Sequence, residues 1–442
     1  MEQLKNAVQK HRDLILGAER YIWQNPETGY RETKTNAYLA KEFERLGYTL
    51  TYADGITGFY TVIDTGREGP EVLVLGELDS VICPTHPEAD AETGAVHSCG
   101  HHAQCAALLG LAAALKEPHV LDGLSGRIRL CAVPAEELLE IEYRKELRAK
   151  GKIKYFGGKP EFLHRGYFDG VDMAFMIHTA QDFQVTDGSI GCIAKNIIYR
   201  GKSAHAGGAP WQGVNALYAA SCGINAANAV RETFKEADVI RFHPIVTHGG
   251  DMVNAVPAEV RLESYVRGKT FEAIVNANKK LNRALAGAAL SLGANVEIID
   301  IPGYGPLVND PGMMEMALDA MNAVMPEKEL KIQHTTSSGC TDMGDLSSIM
   351  PVVHPYAGGA TGTGHGADYL ITDPDAATVV SAQVQLVMLH LLLKDGAARA
   401  KKILADFTPL FASKEEYLAF VDTLDADGER IVYGENSAEV KL

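Results

Sequence analysis

Ile190-Gly191-Cys192-Ile193-Ala194-Lys195-Asn196-Ile197-Ile198-Tyr199-Arg200-Gly201 reads as one long strand, and it stands where the pattern of the chain changes. Before it, short apolar runs alternate with helical segments: 72–75, an Ala-rich helix over 106–115, a strand over 127–133, and 173–177. That alternation predicts a mostly parallel sheet with helices on both faces. After it come a helix over 213–231, strands over 240–248 and 258–267, a helix over 270–292 and a strand over 295–300. Strand-helix-strand-strand-helix-strand is the order of a ferredoxin-like α+β sandwich. Pro302-Gly303-Tyr304-Gly305-Pro306 marks the return, after which helices and short apolar strands resume. The expected organisation is an α/β catalytic domain in two parts, 1–187 and 305–442, interrupted by a smaller domain at 188–304. The last forty residues read as a mixed helical tail without chemical signal.

The chain has 442 residues and a formal net charge of −16, and its basic residues form no long run. Nucleic acid and anionic membrane need a positive footprint, so neither is an expected partner. The longest apolar stretch, 384–393, reads as too short to span a bilayer. Met1-Glu2-Gln3-Leu4-Lys5 lacks an apolar signal core. The seven cysteines show no regular framework, as expected of reduced cytoplasmic thiols.

Cys99 is the exception. In His97-Ser98-Cys99-Gly100-His101-His102, alternate residues of an extended segment face the same way, so Cys99 and His101 can meet one metal. Taken alone the pair also fits a buried Cys beside a surface His; the tandem His after Gly, before a small-residue helix, favours the metal. Pro134-Ala135-Glu136-Glu137 follows an apolar strand, and adjacent carboxylates there repel unless a cation or shared proton neutralises them. His178 ends the run 173–177, and His365 lies in the Gly-rich stretch 358–366. His205, in Ser203-Ala204-His205-Ala206-Gly207-Gly208, belongs to the smaller domain. No nucleophile elbow, phosphate loop or dinucleotide fingerprint competes.

Together these pieces resemble the co-catalytic metallo-hydrolase family of aminoacylases, glutamate-type carboxypeptidases, amino-acid-conjugate amidohydrolases and aminobenzoyl-glutamate hydrolases. The likeness runs from Asn25-Pro26-Glu27-Thr28-Gly29 and Gly76-Glu77-Leu78-Asp79 through the Cys-Gly-His and Glu-Glu segments. It continues through Val253-Asn254-Ala255-Val256-Pro257 and Cys340-Thr341-Asp342-Met343-Gly344-Asp345 to Gly364-His365. The Cys-Gly-His and Thr-Asp-Met-Gly-Asp forms look most like the aminobenzoyl-glutamate hydrolase and dipeptidase-like branch. The resemblance implies Cys99, His101, Glu137, His178 and His365 as ligands of two divalent metals per subunit. Glu136 would be the general base and Asp79 the carboxylate that orients the cluster. His205, Asn254 and Arg267 would contact substrate, with a homodimer formed through the inserted domain. Zinc or manganese is expected, with nickel or cobalt as further candidates.

The implied function is hydrolysis of an N-acyl amino acid, amino-acid conjugate or dipeptide by a metal-activated water, with Glu136 taking its proton. Two alternatives remain at this point: a catalytically silent scaffold of the same fold, and a single-metal redox site at Cys99. Two departures from the branch stand out. His102 replaces the usual Asp or Asn, and a helical insertion with a basic tail occupies 138–159. The run Lys150-Gly151-Lys152-Ile153-Lys154 is read there as an attractor for an acidic substrate group.

Overall fold

The computed structural model describes all 442 residues, in two compact units. Met1–Gly188, Leu307–Thr336 and Thr341–Lys414 form the first; Ser189–Pro306, Ser337–Cys340 and Glu415–Leu442 form the second.

The first unit carries a six-stranded sheet in the order Thr51–Tyr52, Phe59–Asp64, Arg127–Val133, Glu71–Glu77, Met173–Phe175, Val352–Val353. The last four run parallel to one another, and Phe59–Asp64 joins them antiparallel. Glu71–Glu77 is buried at every position. A central parallel strand has both faces covered, which is why 72–75 is a continuous apolar run rather than an alternating one. The helix His101–Ala114 is likewise buried along all 14 residues, against Arg12–Trp23, Glu71–Glu77 and Ser381–Asp406. Its small apolar sequence is what a helix covered all round requires.

The run 384–393 is part of a longer helix, Asp375–Asp406, of 32 residues, which has the length and apolarity to cross a membrane. Counting apolar neighbours along the sequence stops at polar residues that a helix simply carries on one side. In this protein 78% of its most apolar window is buried inside the first unit. It packs on Pro311–Val324 and His101–Ala114 and kinks at Lys394–Ala397, so it is a core helix.

In the second unit Gly191–Arg200 lies centrally, antiparallel to Glu259–Gly268 on one side and Asn295–Pro302 on the other. Arg241–Phe242 and Ile245–His248 both pair with Glu259–Gly268. The single strand expected over 240–248 is broken where His243-Pro244 removes a backbone donor. Helices Ala216–Val230 and Phe271–Ser291 pack on this sheet. Each begins at a side-chain cap: Asn215 accepts from the Leu217 and Tyr218 amides, and Thr270 from that of Ala273. This is the ferredoxin-like order, and the whole chain is an α/β fold with an inserted α+β unit.

The C-terminal tail differs from its expected place in the first unit. Residues from Glu415 onward pack with the second, as a hairpin of Ile431–Tyr433 and Ala438–Val440. Asp300 and Ala426 exchange both backbone hydrogen bonds, and the Arg430 amide donates to the Val296 carbonyl. Ile431 is buried beside Val296 and Ile298, and that apolar contact anchors the tail.

Candidate metal centre

The site assembles where parallel strands end, the usual location in an open α/β sheet. Glu71–Glu77 delivers Glu77 and then Asp79; Arg127–Val133 leads into Glu136 and Glu137; Met173–Phe175 leads to His178; Val352–Val353 leads to His354. Cys99 and His101 arrive from the start of the His101–Ala114 helix. Gly100 precedes it with φ +92, and a Cβ there would lie 2.5 Å from the Tyr369 hydroxyl. Only glycine meets both demands. His365 itself holds a left-handed backbone, φ 62, with its amide donating to the Ser98 carbonyl at 2.8 Å. Strain of this kind in a non-glycine residue concentrates at functional sites.

The ring orientations follow from the hydrogen bonds. His101 Nδ1 lies 2.9 Å from the Asp79 carbonyl oxygen, and His178 Nδ1 lies 2.8 Å from that of Thr179. A carbonyl only accepts, so both Nδ1 atoms carry the proton and a neutral ring presents a bare Nε2. His178 Nε2 faces Cys99 Sγ at 3.5 Å. His101 Nε2 faces Glu77 Oε2 at 3.2 Å and Glu136 Oε2 at 3.8 Å. Glu77 Oε2 and His101 Nε2 are buried without a hydrogen-bond partner. Lone pairs aimed at lone pairs in a buried space demand a cation, either a proton or a metal ion.

Three donor sets meet that demand, each with its ligand atoms within 4.8 Å of one another: Cys99–His101–His178, Cys99–Glu137–His365 and Glu77–His101–Glu136. The first two share Cys99. Its sulfur and the imidazoles suit a borderline-soft divalent ion such as zinc. The residues present therefore fit a metal.

A proton answers part of that demand: burial disfavours the imidazolium, yet Cys99 and Glu77 raise His101, and Cys99 raises His178, above the ordinary imidazole range. Burial and Glu137 push the Cys99 thiol up, but His101 and His178 outweigh them and it falls to about 6. A thiolate at neutral pH is the ligating form. Burial disfavours ionised Glu137, yet His365, with Nε2 3.1 Å from Oε1, brings it down to about 2. Glu136 is held well above the ordinary carboxylate range by burial, Glu77 and Glu137. Two neighbouring carboxylates with opposed shifts suit opposed roles, one a fixed anion and one a proton carrier.

The Glu136–Glu137 turn is pinned on every side. Glu32 accepts from the Ala135 amide at 2.8 Å, and Ala135 is left-handed at φ 56. Asp79 Oδ2 accepts from the Glu137 amide at 2.8 Å, so one carboxylate side chain orients both His101 and the turn. Arg144 is buried and donates to the Glu137 carbonyl and, at 2.6 Å, to that of Phe156. Arg144→Ala strips donors from two buried carbonyls. It should cost about 2–4 kcal/mol in a denaturant titration, against less than about 0.5 for Lys150→Ala on the surface.

All seven residues expected in the first domain lie in the first unit and converge here: Asp79, Cys99, His101, Glu136, Glu137, His178 and His365. His205, Asn254 and Arg267 lie in the second unit. His205 is exposed, and its Nδ1 accepts from the Gly207 and Gly208 amides at 3.2 and 2.9 Å, leaving Nε2 as its donor. Asn254 lies beside it, its carbonyl accepting from the Ala206 amide. Arg267 extends along Glu259–Gly268, its guanidinium over the Tyr265 ring.

His102 points away from the donor sets. It is buried against Trp23 and lies 3.3 Å from Glu19. In the insertion, Lys150 is exposed beside Glu146, while the basic groups that reach the centre are Arg144 and Lys159. Sequence reading gave no role to Glu32, Glu77, Lys159, Asp342 or His354, although Glu77 and Asp342 stand in the stretches 76–79 and 340–345 that carry the resemblance. Of these Glu77 carried a signal, a carboxylate ending a buried strand two residues before Asp79.

The model of peptidase family M20/M25/M40 matches residues 73–389. Xaa-Arg dipeptidase of Homo sapiens is 28% identical over 359 residues, 77% of this chain and 76% of that protein. N-acetyl-L-cysteine deacetylase of Bacillus subtilis is 28% identical over 326 residues, covering 69% and 71%. The crystal structure of a dinuclear metal binding peptidase from Bacillus subtilis superposes with a TM-score of 0.63 at 20% identity, covering 87% of this chain and 99% of that one. The matched span holds every donor of the three sets, and the chain belongs to peptidase family M20/M25/M40 as a metal-dependent hydrolase of amide bonds.

Proposed function

We propose that this chain cleaves the amide bond of a dipeptide or N-acyl amino acid with two divalent metals per subunit. The observation that carries the reading is the pair of donor triads joined at Cys99, with Glu136 against them. Cys99, His101 and His178 would hold one ion, and Cys99, Glu137 and His365 the other. The dinuclear peptidase that shares the fold supports the count. The dipeptidase and deacetylase relatives support the two substrate classes. The thiolate favours zinc, and the carboxylate and imidazole donors also admit manganese.

When bound, the metals supply Lewis acidity, lowering the pKa of water toward neutrality and polarising the carbonyl. Glu136 takes the proton of the attacking water as its oxygen joins the carbonyl carbon. When the C–N bond breaks, Glu136 returns that proton to the leaving amine. Asp79 keeps His101 and the Glu137 backbone in register throughout. His205 donates from Nε2 to the oxyanion, and Asn254 and Arg267 hold the rest of the substrate.

We also propose a homodimer through the second unit. Ile245 and Val246 lie exposed on a strand paired on one side, and Trp211, Met252 and Val253 are exposed near His205. A symmetric pair would cover this surface and bring His205 to its partner's centre. None of the seven cysteines forms a disulfide, which supports a reducing, cytoplasmic setting.

A hydrolysis screen tests the substrate. Dipeptides with Arg, neutral or acidic C-terminal residues, N-acyl amino acids and aminobenzoyl-glutamate are offered to metal-free protein, with zinc or manganese added back separately. At least one class should turn over only when metal is present. Equal activity after verified metal removal would end this reading.

A further inference from the structure

The Thr341-Asp342-Met343-Gly344-Asp345 stretch and the Gly157-Gly158-Lys159 stretch have no role in the chemistry above, yet they meet under the centre. Lys159 is fully buried, as are both of its partners, Glu77 and Asp342. Its Nζ donates to Glu77 Oε1 at 2.5 Å and to Asp342 Oδ1. Its own amide donates to Asp342 Oδ2 at 2.9 Å, so Asp342 grips the lysine at both ends. The chain reaches this depth because Gly158 passes tight against the preceding strand end. A Cβ on Gly158 would sit 1.7 Å from the Pro134 carbonyl oxygen. The Gly158 amide donates to the Ala135 carbonyl at 3.1 Å, one residue before Glu136.

A buried ammonium persists only where carboxylates pay for its desolvation. Here they do more than neutralise it. Lys159 occupies one oxygen of Glu77, and the other, Oε2, is turned to His101 Nε2 at 3.2 Å and belongs to the Glu77–His101–Glu136 donor set. A carboxylate with both oxygens free could swing, chelate or share a proton with Glu136. One held by a lysine that is itself held at both ends presents a single fixed oxygen.

We propose that Lys159, anchored by Asp342, is a positioning residue that fixes Glu77 so that one oxygen faces the space between His101 and Glu136. This rests on the metal reading above. Its effect runs through Glu77 to metal affinity and to the proton-transfer step, and leaves substrate contacts alone.

The experiment compares four proteins: unaltered, Glu77→Gln, Lys159→Met, and the triple variant E77Q/K159M/D342N, which leaves no charge in the buried cluster. Metal affinity is measured on metal-free protein by competition with a chromophoric chelator. Cobalt loading then reports ligand geometry through the Cys99 thiolate absorption band. Lys159→Met and Glu77→Gln should each weaken affinity and lower kcat by about 10–100-fold, with KM within about twofold and a shifted cobalt band. Lys159→Met alone strands two buried carboxylates and should unfold at lower denaturant. The triple variant should recover the unfolding midpoint without recovering affinity, kcat or the band. Recovery of all of these in the triple variant would show a structural ion pair and overturn the proposal. So would unaltered affinity, kcat and band in Glu77→Gln, which preserves shape and so tests the idea even if Lys159→Met does not fold. If the unaltered protein bound no metal, the reading of the centre would fall and this role with it; its own titration separates that failure from one confined to Lys159.

Discussion

Glu136→Gln should lower turnover by about 10²–10⁴-fold while leaving metal content nearly intact. The change is isosteric and removes only the basic oxygen. Metal should stay because Cys99, His101, His178, Glu137 and His365 supply both triads without it. Glu137→Gln should behave oppositely. Glu137 is the carboxylate drawn down by His365 and fixed through its backbone by Asp79 and Arg144, the profile of a ligand. Inductively coupled plasma analysis beside steady-state rates checks both. Loss of metal in Glu136→Gln with retention in Glu137→Gln would reverse the two roles.

Mixed dimers should regain activity that neither parent has. If His205 serves the partner's centre, Glu136→Gln and His205→Ala homodimers are each nearly dead. A heterodimer places both defects in one centre and none in the other. Statistical exchange of equal amounts should then restore about a quarter of the unaltered activity per centre. Native mass spectrometry confirms the exchange. Confirmed heterodimers with no activity would mean that His205 serves its own chain.

What was legible in the sequence shared a physical cause. Glu136, Glu137, Cys99 and His101 stood out because reactive types sat directly beside apolar strands or a small-residue helix, where charge needs a reason. The two sheets were legible for the same reason, since 72–75 and 190–201 carry their burial on their face. Lys159 was not legible. It ends a stretch of lysines and reads as one more solvated charge, because the carboxylates that bury it lie 82 and 183 residues away in the chain. Arg144 hid likewise in a charged helix. Glu32 stood before a helix, where acidic residues are ordinarily exposed, and nothing local showed that it would accept from Ala135. The tail was misread because Ile431-Val432-Tyr433 is too short to announce a strand, and its burial comes from Val296 and Ile298, far earlier in the chain.

That tail also governs how far assembly can go. A sheet with two bare edges can recruit a copy at each, and recruitment at both ends propagates into a fibre. Here one boundary strand, Asn295–Pro302, already has its backbone engaged by 426–430 of the same chain. In the dimer proposed above only the Ile245–His248 side would remain for another molecule, so growth through this sheet would stop at two. A protein shortened before Glu415 would lose that stop and become prone to open-ended polymerisation.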